Sequence, residues 1–136
     1  MTTRAEFLAD AFEAIGIADY QFAVTPEERA SARRMLDDML TEWEGRGIPL
    51  GYVPLEDLDD DNDGVDLTLP AWSISAVKAN LAKELAPSFG KMPSGGLLGR
   101  AKRGLALCEA RTAVTPAIKT SRSDIRGGGF YRRWGW

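Results

Sequence analysis

Thr25-Pro26-Glu27-Glu28-Arg29-Ala30-Ser31-Ala32-Arg33-Arg34-Met35-Leu36-Asp37-Asp38-Met39-Leu40-Thr41-Glu42-Trp43-Glu44-Gly45-Arg46-Gly47 is the stretch that decides the fold. Its opening has the chemistry of a helix start. Thr25 caps, Pro26 sits in the first turn where its missing N–H costs little, and Glu28 closes a capping box. Ala32, Met35, Leu36, Met39, Leu40 and Trp43 then recur at helical spacing, and Gly45 or Gly47 ends the run. About 19 residues at 1.5 Å each make a rod roughly 28 Å long. Such a helix is marginal alone in water, so its apolar stripe requires other elements to pack on.

The same grammar extends outward in both directions. Thr3-x-x-Glu6 is a second capping box; Phe7, Leu8, Ala11, Phe12 and Ile15 follow at helical spacing, and Gly16 supplies a stop. Beyond the central helix, Ile48 to Pro54 reads as extended chain, because two prolines exclude a helix there. A third helix is expected from Pro70 to Ala86, with Ile74, Val77, Leu81 and Leu85 inward and Pro87 ending it. After a turn at Met92–Gly96, a fourth spans Leu97 to Ala113, with Leu98, Ala101, Leu105, Cys108 and Thr112 on its buried side. Gly99 and Gly104 weaken that helix by up to ~1 kcal/mol each unless close packing requires them. The chain therefore reads as all-α: a small bundle of about four helices over residues 1–114, interrupted by a long acidic loop, then an extended C-terminal arm over 115–136.

Composition narrows the function. A chain of 136 residues with 44% hydrophobic content fits one ordinary soluble domain. No apolar run reaches the ~18 residues of a membrane span, and MTTRAEFLAD has no signal-peptide pattern. The lone Cys108 excludes an intrachain disulfide and suits a reducing cytoplasm. With no histidine, Ser-His-Asp and Cys-His catalysis are excluded and a zinc site is disfavoured. No cofactor and no catalytic residue is expected. Charge is more informative. Residues 1–70 hold 17 Asp/Glu against 5 Lys/Arg, net −12, whereas residues 71–136 hold 3 against 12, net +9. Copies of such a chain can pack acidic part to basic part, favouring rings or stacks.

Within this pattern, Glu56 to Asp66 carries seven carboxylates and no base. Asp59-x-Asp61-x-Asp63-Gly64 copies the first half of a calcium loop, but the position that needs a bidentate Glu falls on Pro70. The run is read as a contact with another subunit or a neighbouring assembly component (Asp59, Asp61, Asp63), not as a metal site. Arg100, Lys102 and Arg103, with Arg111 beyond, are expected to form a basic stripe on helix four. It is either a solvated face or the inter-subunit surface that meets the acidic run.

The last segment, TPAIKTSRSDIRGGGFYRRWGW, has no periodicity and a net charge of +4. Its 22 residues reach ~70 Å when extended. Ordering it costs about 1–2 kcal/mol per residue, more than its few apolar groups return alone, so its order depends on a partner surface. Arg126 and the terminal Phe130, Tyr131, Arg132, Arg133, Trp134 and Trp136 are the side-chain types that dominate interfaces, and protein docking is the favoured use. The same groups suit nucleic acid, which remains the alternative. A glycosidase built on Glu42, Glu44, Glu84 or Glu109 is the remaining alternative.

Met39-Leu40-Thr41-Glu42-Trp43, followed by Gly47-Ile48-Pro49-Leu50-Gly51-Tyr52-Val53, and Ala76-Val77-Lys78-Ala79-Asn80-Leu81-Ala82 leading to Leu85-Ala86-Pro87-Ser88-Phe89-Gly90, form a recognisable set. Together they resemble the head-to-tail adaptors of short-tailed phages, also called tail accessory or packaged-DNA stabilisation proteins. The similarity runs from Thr3 to about Thr120; residues after Ser121 match no motif of the family. The resemblance implies a non-enzymatic virion protein, made in the host cytoplasm and present as a ring of twelve copies beneath the portal protein. Such a ring extends the channel for packaged DNA and forms the platform for the next tail component, a nozzle or fibre-bearing protein. It also implies a C-terminal arm that climbs onto the portal, a role that would fall here to Thr115–Trp136.

Overall fold

The structure, a computed structural model, describes residues 2–17, 24–53 and 66–113. These form an all-α bundle of four helices: α1 (Arg4–Ala14), α2 (Pro26–Gly45), α3 (Ala71–Ser88) and α4 (Gly95–Thr112). Both capping boxes are made. The Glu6 and Glu28 backbone N–H groups donate to the Thr3 and Thr25 hydroxyls at 3.3 Å each, and both glutamates accept the return bond from the threonine backbone.

The first three helices close with one motif. A glycine just past the helix (Gly16, Gly47 or Gly90) takes a left-handed φ of 88°, 88° or 66°. The next residue's N–H then reaches back across the last turn: Ile17 to Phe12 at 3.0 Å, Ile48 to Trp43 at 2.9 Å, and Lys91 to Ala86 at 2.9 Å. In the first two, both residues are buried, so the cap also adds apolar contact. This corrects one expectation. Pro87 does not end α3, which runs through it to Ser88. The proline removes only the hydrogen bond to the carbonyl of exposed Lys83, which water can satisfy, and the Gly90 cap closes the helix instead.

α3 is the centre. It packs on α1, α2 and, most extensively, α4. Phe7, Phe12, Leu36, Trp43, Val77, Leu81, Leu85 and Cys108 meet in one core. Phe89 closes its edge, meeting Phe12 edge-to-face at 5.3 Å. Lys78 joins α3 to α1 through a 2.7 Å ion pair with Asp10.

α4 departs from its expected register. It starts at Gly95, capped by the Ser94 hydroxyl, and buries Leu97, Ala101 and Cys108, leaving Leu98 44% exposed. The cause is Gly104. A Cβ there would lie 2.7 Å from both Cα and Cβ of Ala76, so this glycine marks the closest approach of the two helices. Leu97, Ala101, Gly104 and Cys108 therefore share the face closest to α3; Ala101 and Cys108 lie where expected, Leu97 replaces Leu98, and Leu105 and Thr112 are half-buried, Leu105 packing on the core. Buried Asn80 fastens the seam, its side-chain N–H groups donating to the carbonyls of Ala76 (2.8 Å) and Ala101 (3.0 Å).

Candidate partner-binding surface

Because α4 rests on α3 along one face, the rest of its circumference is free to carry other chemistry. Arg100, Lys102 and Arg103 are all exposed, and none has an ion-pair partner among the described residues. At 100° per residue they do not form a single stripe. Arg100 and Arg103 lie on one flank together with Leu107, which is 44% exposed, and Arg111. Lys102 falls on the other flank beside Leu98. Arg111 is directed inward over the ring of Trp72, 5.2 Å from its centroid, and thereby ties the last turn of α4 to the first turn of α3.

A buried polar cluster positions the chain leading into the acidic loop. Arg4, 3% exposed at the first position of α1, lies 3.3 Å from the Asp37 carboxylate of α2. The Tyr52 hydroxyl donates to the same carboxylate. Burial first, and the Asp37 charge and hydrogen bond next, push the Tyr52 phenol well above its usual range. Leaving this cluster, the Val53 N–H donates to the Thr68 hydroxyl at 3.1 Å, and Leu67 N–H donates to the Thr2 carbonyl at 3.2 Å. Both stems of the acidic segment are thus held against the start of α1.

This cluster is not among the residues that the sequence pattern singles out. A signal was present: Arg4 precedes Phe7 and Leu8 by three and four residues, so extending the α1 stripe backward places it on the buried face. Cys108 is likewise buried, and desolvation with the neighbouring Glu109 raises its thiol, which leaves it poorly reactive.

Of the other sequence-selected residues, Asp59, Asp61 and Asp63 lie outside the described residues, as do Arg126, Phe130, Tyr131, Arg132, Arg133, Trp134 and Trp136. Pro70 is the N-cap of α3. Glu42 and Glu44 project from the end of α2, while Glu84 and Glu109 are exposed on two different helices.

The described residues form a helical body whose unpaired bases lie on its outer surface. Among family models, that of the P22 tail accessory factor matches residues 1–131. The chain belongs to that family. It is a phage tail protein with a structural role, a component of the virion in a family whose members associate with other tail or virion components. No helix among the described residues is long and apolar enough to cross a membrane. The match also runs beyond Ser121, where the resemblance of individual motifs stopped, into the aromatic end of the chain.

Proposed function

We propose that this protein is a head-to-tail adaptor. Copies assemble, twelve to a ring, beneath the portal protein, extend the DNA channel, retain the packaged DNA and present a platform to the next tail component. In this reading residues 1–114 form the wedge of the ring and residues 115–136 form the anchor to the portal. Phe130, Tyr131, Trp134 and Trp136 supply apolar area there, and Arg126, Arg132 and Arg133 pair with portal carboxylates. Neighbouring wedges meet through the exposed bases of α4 and the acidic run containing Asp59, Asp61 and Asp63. The observation that carries the reading is the family match over residues 1–131, which takes in the body and most of the proposed arm. The opposite charge of the two halves supports it independently.

Mixing purified protein with portal rings tests it. Sedimentation should show a mostly monomeric free protein that joins portal in a fixed ratio, and truncation after Arg126 should abolish joining. Unchanged portal affinity of the truncated chain would remove the anchor role. The exposed Arg100 and Arg103 give the nucleic-acid reading its one structural support. Tight DNA binding by the free protein, with a steep salt slope, would favour that reading.

A further inference from the structure

An apolar groove lies beside the end of α2. Leu40, Glu44, Pro49, Leu50, Gly51 and Tyr52 line it, and its volume is about 90 Å³, the space of one side chain rather than of a helix. Leu40 and Leu50 make a buried floor, while Glu44, Pro49 and Gly51 stand exposed at the mouth. The Glu44 carboxylate has no partner among the described residues. It sits in the last turn of α2, which holds no basic residue, and the guanidinium of the C-cap Arg46 is paired with Glu42 instead. The mouth therefore favours a cation beside an apolar group.

The path from this groove leads to the end of α4. Tyr52 on its wall is followed by Val53, which is bonded to Thr68. Thr68 leads into α3, whose Trp72 lies under Arg111 of α4. Ala113, the last described residue, follows two positions later, so α4 ends on the same side of the bundle as the groove. From there 23 residues remain in the chain, a reach of ~75 Å when extended. They finish in Arg132-Arg133-Trp134-Gly135-Trp136, rings and cations side by side.

We propose that in the free protein this groove is the docking site of the chain's own C-terminus. One indole of Trp134 or Trp136 fills it, and Arg133 pairs with the Glu44 carboxylate. The inference rests on the reading of residues 115–136 as the anchor and adds where the anchor's aromatic end is held before a partner takes it. A single ring and one ion pair make a weak contact. The tether supplies an effective concentration on the order of millimolar, which keeps such a contact occupied without a second molecule. Assembly then exchanges the groove for the larger surface of the partner.

Amide NMR on the full chain tests this. Relative to the parent protein, the doubly substituted chain Trp134→Ala/Trp136→Ala should show shifted resonances at Glu44, Leu50, Gly51 and Tyr52. A peptide of residues 127–136 added in trans should restore them. The substitution Glu44→Lys should weaken that peptide about three- to fivefold, the scale of a partly exposed ion pair. Groove resonances that do not respond to the tryptophan substitutions would overturn the proposal. Shifts that grow with protein concentration would overturn it too, since they put a second copy's terminus in the groove. The anchor reading is scored separately by portal binding. Loss of portal binding on truncation with a silent groove sinks only the self-docking, and the reverse pattern sinks only the anchor.

Discussion

α3 and α4 are both 18 residues long and lie against each other, yet α3 buries nine residues and α4 only three. The difference teaches where this tail protein keeps its fold and where it keeps its surface. α3 is enclosed by three helices and carries Ala, Val and Leu nearly all round. α4 touches the body along the narrow line of Leu97, Ala101, Gly104 and Cys108, with half-buried Leu105 beside it, and gives most of the remainder to arginine, lysine and two half-exposed leucines. Substitutions in α3 should therefore read out in stability, and those on the outside of α4 in association.

The largest expected effect is in α3. Leu81→Ala and Leu85→Ala remove side chains that are 0% and 1% exposed. Each should cost about 2–5 kcal/mol in chemical denaturation, through lost transfer energy and an unfilled cavity. Leu98→Ala and Leu107→Ala on α4, the same chemistry at 44% exposure, should each cost under about 0.5 kcal/mol. Comparable losses on the two helices would break the contrast.

The next effect is on the seam and has opposite signs at two glycines of one helix. Gly104→Ala gains helix propensity but forces a Cβ into Ala76 at 2.7 Å, a backbone and Cβ contact that cannot swing aside. A net loss of about 1–3 kcal/mol is expected, as for other overpacked sites. Gly99→Ala meets only the guanidinium end of Arg103, at 3.3 Å, which can move. It should stabilise by up to about 1 kcal/mol, the helix propensity difference. Thermal melts of the two variants settle the sign.

The seam also shows how far the sequence could be read. Helix starts at Thr3 and Thr25 were legible because a capping box is local chemistry, complete within four residues. So were the stops near Gly16 and Gly47, where a left-handed turn favours glycine. The register of α4 was not legible. An apolar pattern scores Leu98 above Gly104, but the closest helix approach is marked by the smallest residue. The buried Arg4–Asp37–Tyr52 cluster was missed for a related reason: charged residues are assigned to the surface until their partners, distant in sequence, are known. Of the interaction residues, only the bases of α4 fall where structure describes them, and the aromatic terminus and Asp59–Asp63 were reached through composition alone.

A smaller effect is expected at the polar cluster. Tyr52→Phe leaves the Asp37 carboxylate with the Arg4 guanidinium alone as its side-chain partner and should cost about 1–2 kcal/mol at neutral pH. The raised phenol also fixes a sign. The unfolded chain releases this proton near pH 10, while the fold resists doing so. The contribution is fully present below pH 10 and is lost as pH rises above it. Parent stability should fall through that alkaline window, and Tyr52→Phe should flatten the part due to this residue. An equally steep fall in the variant would assign the loss to other groups.

The smallest change in stability should accompany the largest change in association. Arg100→Ala/Arg103→Ala removes two exposed, unpaired cations from one flank of α4. Solvated charges contribute little to folding, so denaturation should move by less than about 0.5 kcal/mol. If this flank meets an acidic neighbour, the pair of substitutions should weaken assembly on portal rings, most clearly at low salt, where exposed charges are least screened. Lys102→Ala, on the opposite flank, serves as the internal control and should leave assembly nearly unchanged. Equal losses from both flanks would mean that the partner wraps around α4. No loss from either would leave α4 as a solvated outer helix and move the subunit contact elsewhere on the body. Either result would be read at unchanged fold, because the α3 core that holds α4 in place is untouched by all three substitutions.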